Sequence, residues 1–98
     1  MEIVTIIDNL VYDSKLTAEH GFSLYLEKDN KKIVFDTGQT GRFIDNAKIL
    51  GINIGDVDAV VLSHGHYDHT GGLLEFVKYN KKAFKYVFLL ITYTILLI

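Results

Sequence analysis

The stretch "LSHGHYDHTGG", Leu62 to Gly72, places His64, His66, Asp68 and His69 within six residues of a chain that has four histidines. Ahead of it, "DAVVL" is a continuous apolar run of the kind that forms a strand covered on both faces. After it, the pattern predicts a helix from about Gly71 to Tyr79. Four potential ligands therefore sit on one loop at the carboxyl end of a strand, where open α/β sheets gather their ligands. Gly65, lacking a Cβ, is expected to let the backbone bend so that His64 and His66 point at one centre. Asp68 and His69 can then face a second. Imidazole and carboxylate suit zinc, iron or manganese. Two such ions ~3.5 to 4 Å apart can activate a water for attack on an ester or acyl centre. The competing reading is a solvated histidine-rich turn, against which the density of ligand types and the flanking glycines weigh.

Working outward, Ile3, Val4, Ile6 and Ile7 form a β-branched run that reads as a buried strand. In "FSLYLEK", Phe22, Leu24 and Leu26 alternate with Ser23, Tyr25 and Glu27, the period of a half-buried strand. Asp29 and Asn30 supply turn chemistry, so Gly21 to Phe35 reads as a hairpin ending at Asp36, Thr37 and Gly38. Thr40 can cap a helix over Gly41 to Leu50 whose Phe43, Ala47 and Leu50 share a face, with Ile44 beside them and Gly51 as its stop. The order strand, hairpin, helix, strand, metal-like loop, helix is α/β.

A chain of 98 residues is at most one domain, and at that size only about 60 to 65% of the unfolded surface is buried on folding. There is no cysteine, so disulfides and thiolate metal sites are excluded and any metal must be held by nitrogen and oxygen. The net charge of −2 gives no basic excess for nucleic acid. "MEIVTIIDNL" has an early Glu2 in place of a basic segment and does not read as a secretion signal, so the expected location is cytoplasmic. Residues 1 to 77 carry a charge balance of −6 and residues 78 to 98 one of +4, a break in composition near Val77.

"SHGHYDHTGG" resembles the HxHxDH signature of the metallo-β-lactamase superfamily. With "EHGFSLYLE", "IVFDTGQTGRFIDNAKILGI" and "DAVVLSHGHYDHTGGL", Met1 to about Val77 resembles more narrowly the branch typified by 7,8-dihydropterin-6-methyl-4-(β-D-ribofuranosyl)aminobenzene 5′-phosphate synthase. The resemblance implies the N-terminal βα half of an αββα sandwich, truncated, and a metal-dependent hydrolase or synthase acting on a small phosphorylated, ester or pterin substrate. It implies one or two divalent metals, zinc first and iron or manganese as alternatives. His64 and His66 would belong to the first metal and Asp68 and His69 to the second, with Asp68 the catalytic candidate. Asp36 in "FDTG" would orient the ligand loop by accepting a hydrogen bond from it; as a turn aspartate before Thr37 and Gly38 it has an equally good reading. Glu19, His20 and Gly21 match the branch without a role, and His20 is given no ligand position.

The resemblance also implies further ligands, a histidine for the first metal, a bridging aspartate and a last histidine. Beyond His69 this chain has no histidine or aspartate, and Glu75 is the only acid. Two ligands per centre fall short of the usual three plus water, so the chain alone is expected to bind metal weakly and to lack activity. Apolar faces without the other half of a sandwich are expected to drive self-association, or association with a separate chain. The residues from 78 onward form an atypical apolar tail. Its charge-free part, "YVFLLITYTILLI", would reach ~20 Å as helix, short of a ~30 Å hydrocarbon core. A buried strand, a membrane anchor, and unselected sequence after truncation or a frame shift near Asn80 stay open for it.

Overall fold

Asp29 and Asn30 adopt positive φ values of 52° and 64°, the conformation of a two-residue hairpin turn that short polar side chains tolerate. They join β2 (Ser23–Lys28) to β3 (Lys31–Phe35), antiparallel, with Lys28 opposite Lys31 and Leu24 opposite Phe35. The computed structural model describes residues 1–9, 15–80, 87–91 and 94–97. β1 (Glu2–Ile7) pairs antiparallel with the outer edge of β2, its register shifting between Thr5 and Ile7.

From β3 the chain passes through α1 (Arg42–Ile49) and one 3₁₀ turn (Ile54–Asp56), then returns parallel to β3 as β4 (Ala59–Leu62). A second crossover, α2 (Tyr67–Thr70) and α3 (Leu73–Tyr79), leads to β5 (Val87–Ile91), parallel to β4, and β6 (Thr94–Leu97) closes the sheet antiparallel to β5. The six strands lie in the order β1-β2-β3-β4-β5-β6. Segments 87–91 and 94–97 of the tail are thus strands. Lys81, Lys82, Lys85, Tyr86, Thr92, Tyr93 and Ile98, and residues 10–14 of the expected polar connection, lie outside the described residues. Among the described residues no helix is long and apolar enough to cross a membrane.

Both helical crossovers cover one face. Tyr25, Val34, Val60 and Leu62 are buried in one cluster with Phe43, Ile44 and Ala47 of α1 and Phe76 of α3, and the rings of Phe43 and Phe76 stack at 6.4 Å. The opposite face is apolar but open: Leu24, Leu26, Ile33, Phe35, Ala59 and Val61 are half-buried and Ile3 is exposed. Three expectations are corrected by this one-sided cover. β4 is buried on alternate residues instead of both faces, β1 is buried only at Ile6 and Ile7, and in β2 it is Ser23 and Tyr25 that enter the core. A period-two pattern fixes which residues share a face and leaves open which face the helices choose. The result is one sheet with helices on one face, the arrangement expected of one βα half of an αββα sandwich.

α1 ends as its sequence predicts. Gly51 has φ +77°, and the Gly51 and Ile52 amides donate to the carbonyls of Lys48 and Ala47 at 3.2 and 2.8 Å, a Schellman closure. Thr40 stands one residue before the N-cap Gly41, yet its hydroxyl still accepts from the Arg42 amide at 3.2 Å. Leu50 is exposed, not part of the buried face. The unforeseen member of that face is Asn46, whose amide donates to Ile6 O and Thr17 O at 2.9 Å each. It ties β1 and the following loop to the helix.

Candidate metal centre

The parallel pairing of β3 and β4, with Phe35 opposite Val61, brings the carboxyl ends of two strands side by side. Asp36 leaves β3 with φ +61° and its amide donates to Val61 O at 2.8 Å. Its carboxylate, 1% exposed, is thereby set under the start of the histidine stretch. There Oδ1 accepts from the Ser63 amide at 2.8 Å, and Oδ2 accepts from Ser63 Oγ and pairs with His69 Nδ1, both at 2.7 Å. The carboxylate is spent on the ligand loop and not on its own turn.

These contacts fix both imidazoles. A carboxylate only accepts, so the hydrogen between Asp36 and His69 belongs to Nδ1, and in the neutral imidazole it is Nε2 that carries the lone pair. Ser63 Oγ gives its one hydrogen to Asp36, so at 2.8 Å from His64 Nδ1 it must accept. His64 is therefore protonated at Nδ1, and its Nε2 is free as well. One buried carboxylate thus leaves two lone pairs available, directly for His69 and through Ser63 for His64.

Asp68 and His69 stand on the single turn α2, with His66 at its N-cap, so the second half of the expected loop is helical. Ligand atoms of His64, Asp68 and His69 lie within 4.8 Å of one another. Asp68 Oδ2 is 3.4 Å from His69 Nε2. These three are the one group of potential metal donors among the described residues, and His66 falls outside it. His66 is exposed, with its ring 4.6 Å from that of His64. The cluster joins His64, expected at the first metal, with Asp68 and His69, expected at the second. As a donor set, two free imidazole nitrogens and a carboxylate, the cluster fits a divalent ion such as zinc.

The fixing of the loop uses residues that sequence reasoning passed over. Thr37, fully buried, donates through its amide and its hydroxyl to His69 O at 2.7 and 3.1 Å. The same hydroxyl accepts from Gly72 N at 3.1 Å. Gly71 and Gly72 press against the 37–40 loop, where an added Cβ would lie 1.9 Å from Gln39 O or 2.3 Å from Thr37 O. A Cβ added at Gly65 would meet nothing within 4 Å, and Gly65 has no positive φ. The role expected of Gly65 is thus not visible in its backbone, and the close approach falls on the glycine pair. For Ser63 the available signal was a hydroxyl at the end of an apolar strand, directly before His64.

A helix-covered sheet with a histidine–aspartate cluster at its strand ends defines the class of protein: an α/β chain bearing a candidate metal centre. Residues 16–86 match the metallo-beta-lactamase superfamily, and the chain belongs to that superfamily. It is 44% identical over 72 residues to the protein MJ0448 of Methanocaldococcus jannaschii, covering 72% of this chain and 27% of that one. It is 39% identical over 72 residues to the 7,8-dihydropterin-6-methyl-4-(beta-D-ribofuranosyl)-aminobenzene-5'-phosphate synthase of the same organism, covering 68% of this chain and 24% of the relative. Among solved structures, Tm1679, a metal-dependent hydrolase of the beta-lactamase superfamily, matches with TM-score 0.61 and 41% identity over 74% of this chain and 26% of that one. The chain therefore spans about a quarter of the length of these relatives.

Proposed function

We propose that this chain carries one wall of a zinc-dependent active site that acts on a small phosphorylated or ester substrate. The observation that supports it most is the Asp36 network, which leaves Nε2 of both His64 and His69 free beside the Asp68 carboxylate. A bound zinc would supply Lewis-acid stabilisation of developing charge and lower the pKa of a water. In this scheme His64, Asp68 and His69 hold the ion, His66 joins from the rim, and Asp36 and Ser63 keep the imidazoles in the ligating tautomer. A pterin conjugate is the narrower substrate proposal, favoured by the likeness to the dihydropterin-linked synthase. A cytoplasmic location belongs to the same proposal. With three converging protein donors the chain is proposed to bind metal; that it turns over no substrate on its own is proposed because it spans about a quarter of its relatives' length.

The test is metal content by mass spectrometry after zinc loading, for the wild-type chain and for a His64→Ala, Asp68→Ala, His69→Ala variant. Near-stoichiometric zinc in the wild type and none in the variant is the expected result. Equal zinc in both would sink the assignment.

The open sheet face favours a second property, self-association. Leu24, Leu26, Ile33, Phe35 and Val61 form a contiguous apolar surface that the helices leave uncovered, and such surfaces draw partners. Light scattering should show oligomers that Leu26→Lys with Ile33→Glu disperses. A monomeric wild type would rule this out.

A further inference from the structure

We propose that His20 is a positioning residue for Asp68, the ligand that the Asp36 network does not reach; the proposal rests on the metal-centre reading above. The carboxylate of Asp68 is 23% exposed and accepts no hydrogen bond from any side chain among the described residues. Two imidazole nitrogens lie 3.4 Å from its Oδ2, His69 Nε2 and His20 Nε2; with its hydrogen on Nδ1 the first has none to donate, so only His20 can supply a donor. That separation is longer than an ordinary hydrogen bond, and a small rotation of the exposed His20 ring or of the Asp68 carboxylate closes it. A carboxylate with no such neighbours would turn freely between rotamers and lose its convergence with His64 and His69.

His20 can steer because its backbone is fixed from both sides. Glu19, the residue before it, accepts from the Gln39 amide at 3.0 Å, the Thr40 amide at 3.3 Å and the Thr40 hydroxyl. Gly21, the residue after it, donates to Asn9 Oδ1 at 3.1 Å. Gly21 also has φ +144°, and a Cβ there would lie 2.2 Å from Asp68 O. Only glycine lets the backbone come this close. Phe22 completes the clamp: its amide faces Asp68 O at 3.4 Å, its carbonyl accepts from Gly38 N at 2.9 Å, and its ring lies 6.3 Å from that of His69. "EHGF" is therefore an arm that grips the "DTGQT" loop with Glu19, seats on the main chain of Asp68 with Gly21, and places an imidazole on the Asp68 side chain. The His20 side chain is 76% exposed, so replacing it removes the contact without opening the core.

The experiment uses the full chain with uniform nitrogen-15 label. In metal-free protein, long-range proton–nitrogen spectra of the imidazole rings are compared for wild type and Asp68→Asn; the His20 ring signals are expected to shift. Zinc titrations then compare wild type, His20→Ala and His20→Gln. His20→Ala should weaken zinc binding about tenfold, the lower end of what ligand-orienting partners contribute, and His20→Gln, which keeps a donor in that place, should recover most of it. The cobalt(II) absorption bands should be the same in wild type and His20→Ala, since a positioning residue is not a ligand. Unshifted His20 signals, unchanged zinc affinity in His20→Ala, or altered cobalt bands would each overturn the proposal. A wild-type chain that takes up no zinc would instead defeat the metal-centre reading, and the metal-free spectra would still decide whether His20 contacts Asp68.

Discussion

His69 Nδ1 lies 2.7 Å from Asp36 Oδ2, and a residue at the end of β3 thereby fixes the tautomer of a proposed metal ligand 33 positions further along the chain. Asp36→Asn tests this with little disturbance, because asparagine tolerates the positive φ at this position. The amide keeps one acceptor and loses the charge that orders both Ser63 and His69. Zinc affinity is expected to fall about 10- to 100-fold, read by competition with a chelating dye, while the far-ultraviolet circular dichroism stays that of the wild type. Unchanged affinity would mean the imidazoles orient themselves without Asp36.

The glycines of the motif should separate cleanly. Gly71→Ala or Gly72→Ala forces a Cβ into the carbonyl of Gln39 or Thr37. Each should destabilise the fold by about 1–3 kcal/mol or more, as overpacking does. Gly65→Ala meets nothing within 4 Å and should stay within roughly 0.5 kcal/mol of wild type. Urea melts of the three variants give the comparison. A large loss at Gly65 with none at Gly71 would reverse the assignment.

Much of this architecture was legible in local chemistry. The Asp29–Asn30 turn, the Gly51 stop and the strand delivering His64 each depend on residues adjacent in sequence, and the structure places them accordingly. What escaped was long-range. Nothing near Ser23 tells that it, and not Leu24, turns inward, because that follows from helices packing on the far side of the sheet. Likewise Ser63, Thr37 and His20 acquire their partners only when β3, β4 and the loop before β2 converge. The helical turn at Tyr67–Thr70 hid inside a motif read as loop, since four residues are too few to show a helical period.

Ser23 is fully buried and its hydroxyl is the one buried side-chain polar atom without a partner among the described residues. A buried group left unsatisfied costs about 1–3 kcal/mol. Ser23→Ala removes that cost with little change of shape and should stabilise the chain by about 1 kcal/mol. For a domain of this size that corresponds to a rise in Tm of about 4–8 °C. A lower Tm would show that the hydroxyl is bonded in solution.

Tyr25 gives the chain a distinct alkaline limit. Its side chain is buried, and its hydroxyl donates to Glu27 Oε1 at 2.5 Å. Burial first, then the hydrogen bond to Glu27 and the negative charge of that carboxylate, hold the phenol well above its ordinary value. Below pH ~10 the phenol is neutral in both the folded and unfolded chain, and Tyr25 adds no pH dependence. Above that, the unfolded chain releases the proton while the folded chain retains it, so the unfolded state binds fewer protons and stability falls as pH rises. The slope from this one group approaches about 1.4 kcal/mol per pH unit. Tyr25→Phe cannot ionise and should show a shallower decline between pH 9 and pH 11 in urea melts, both range limits being about one unit from the ordinary phenol value. Parallel declines in the two proteins would mean that Tyr25 ionises in the folded state as readily as in the unfolded one.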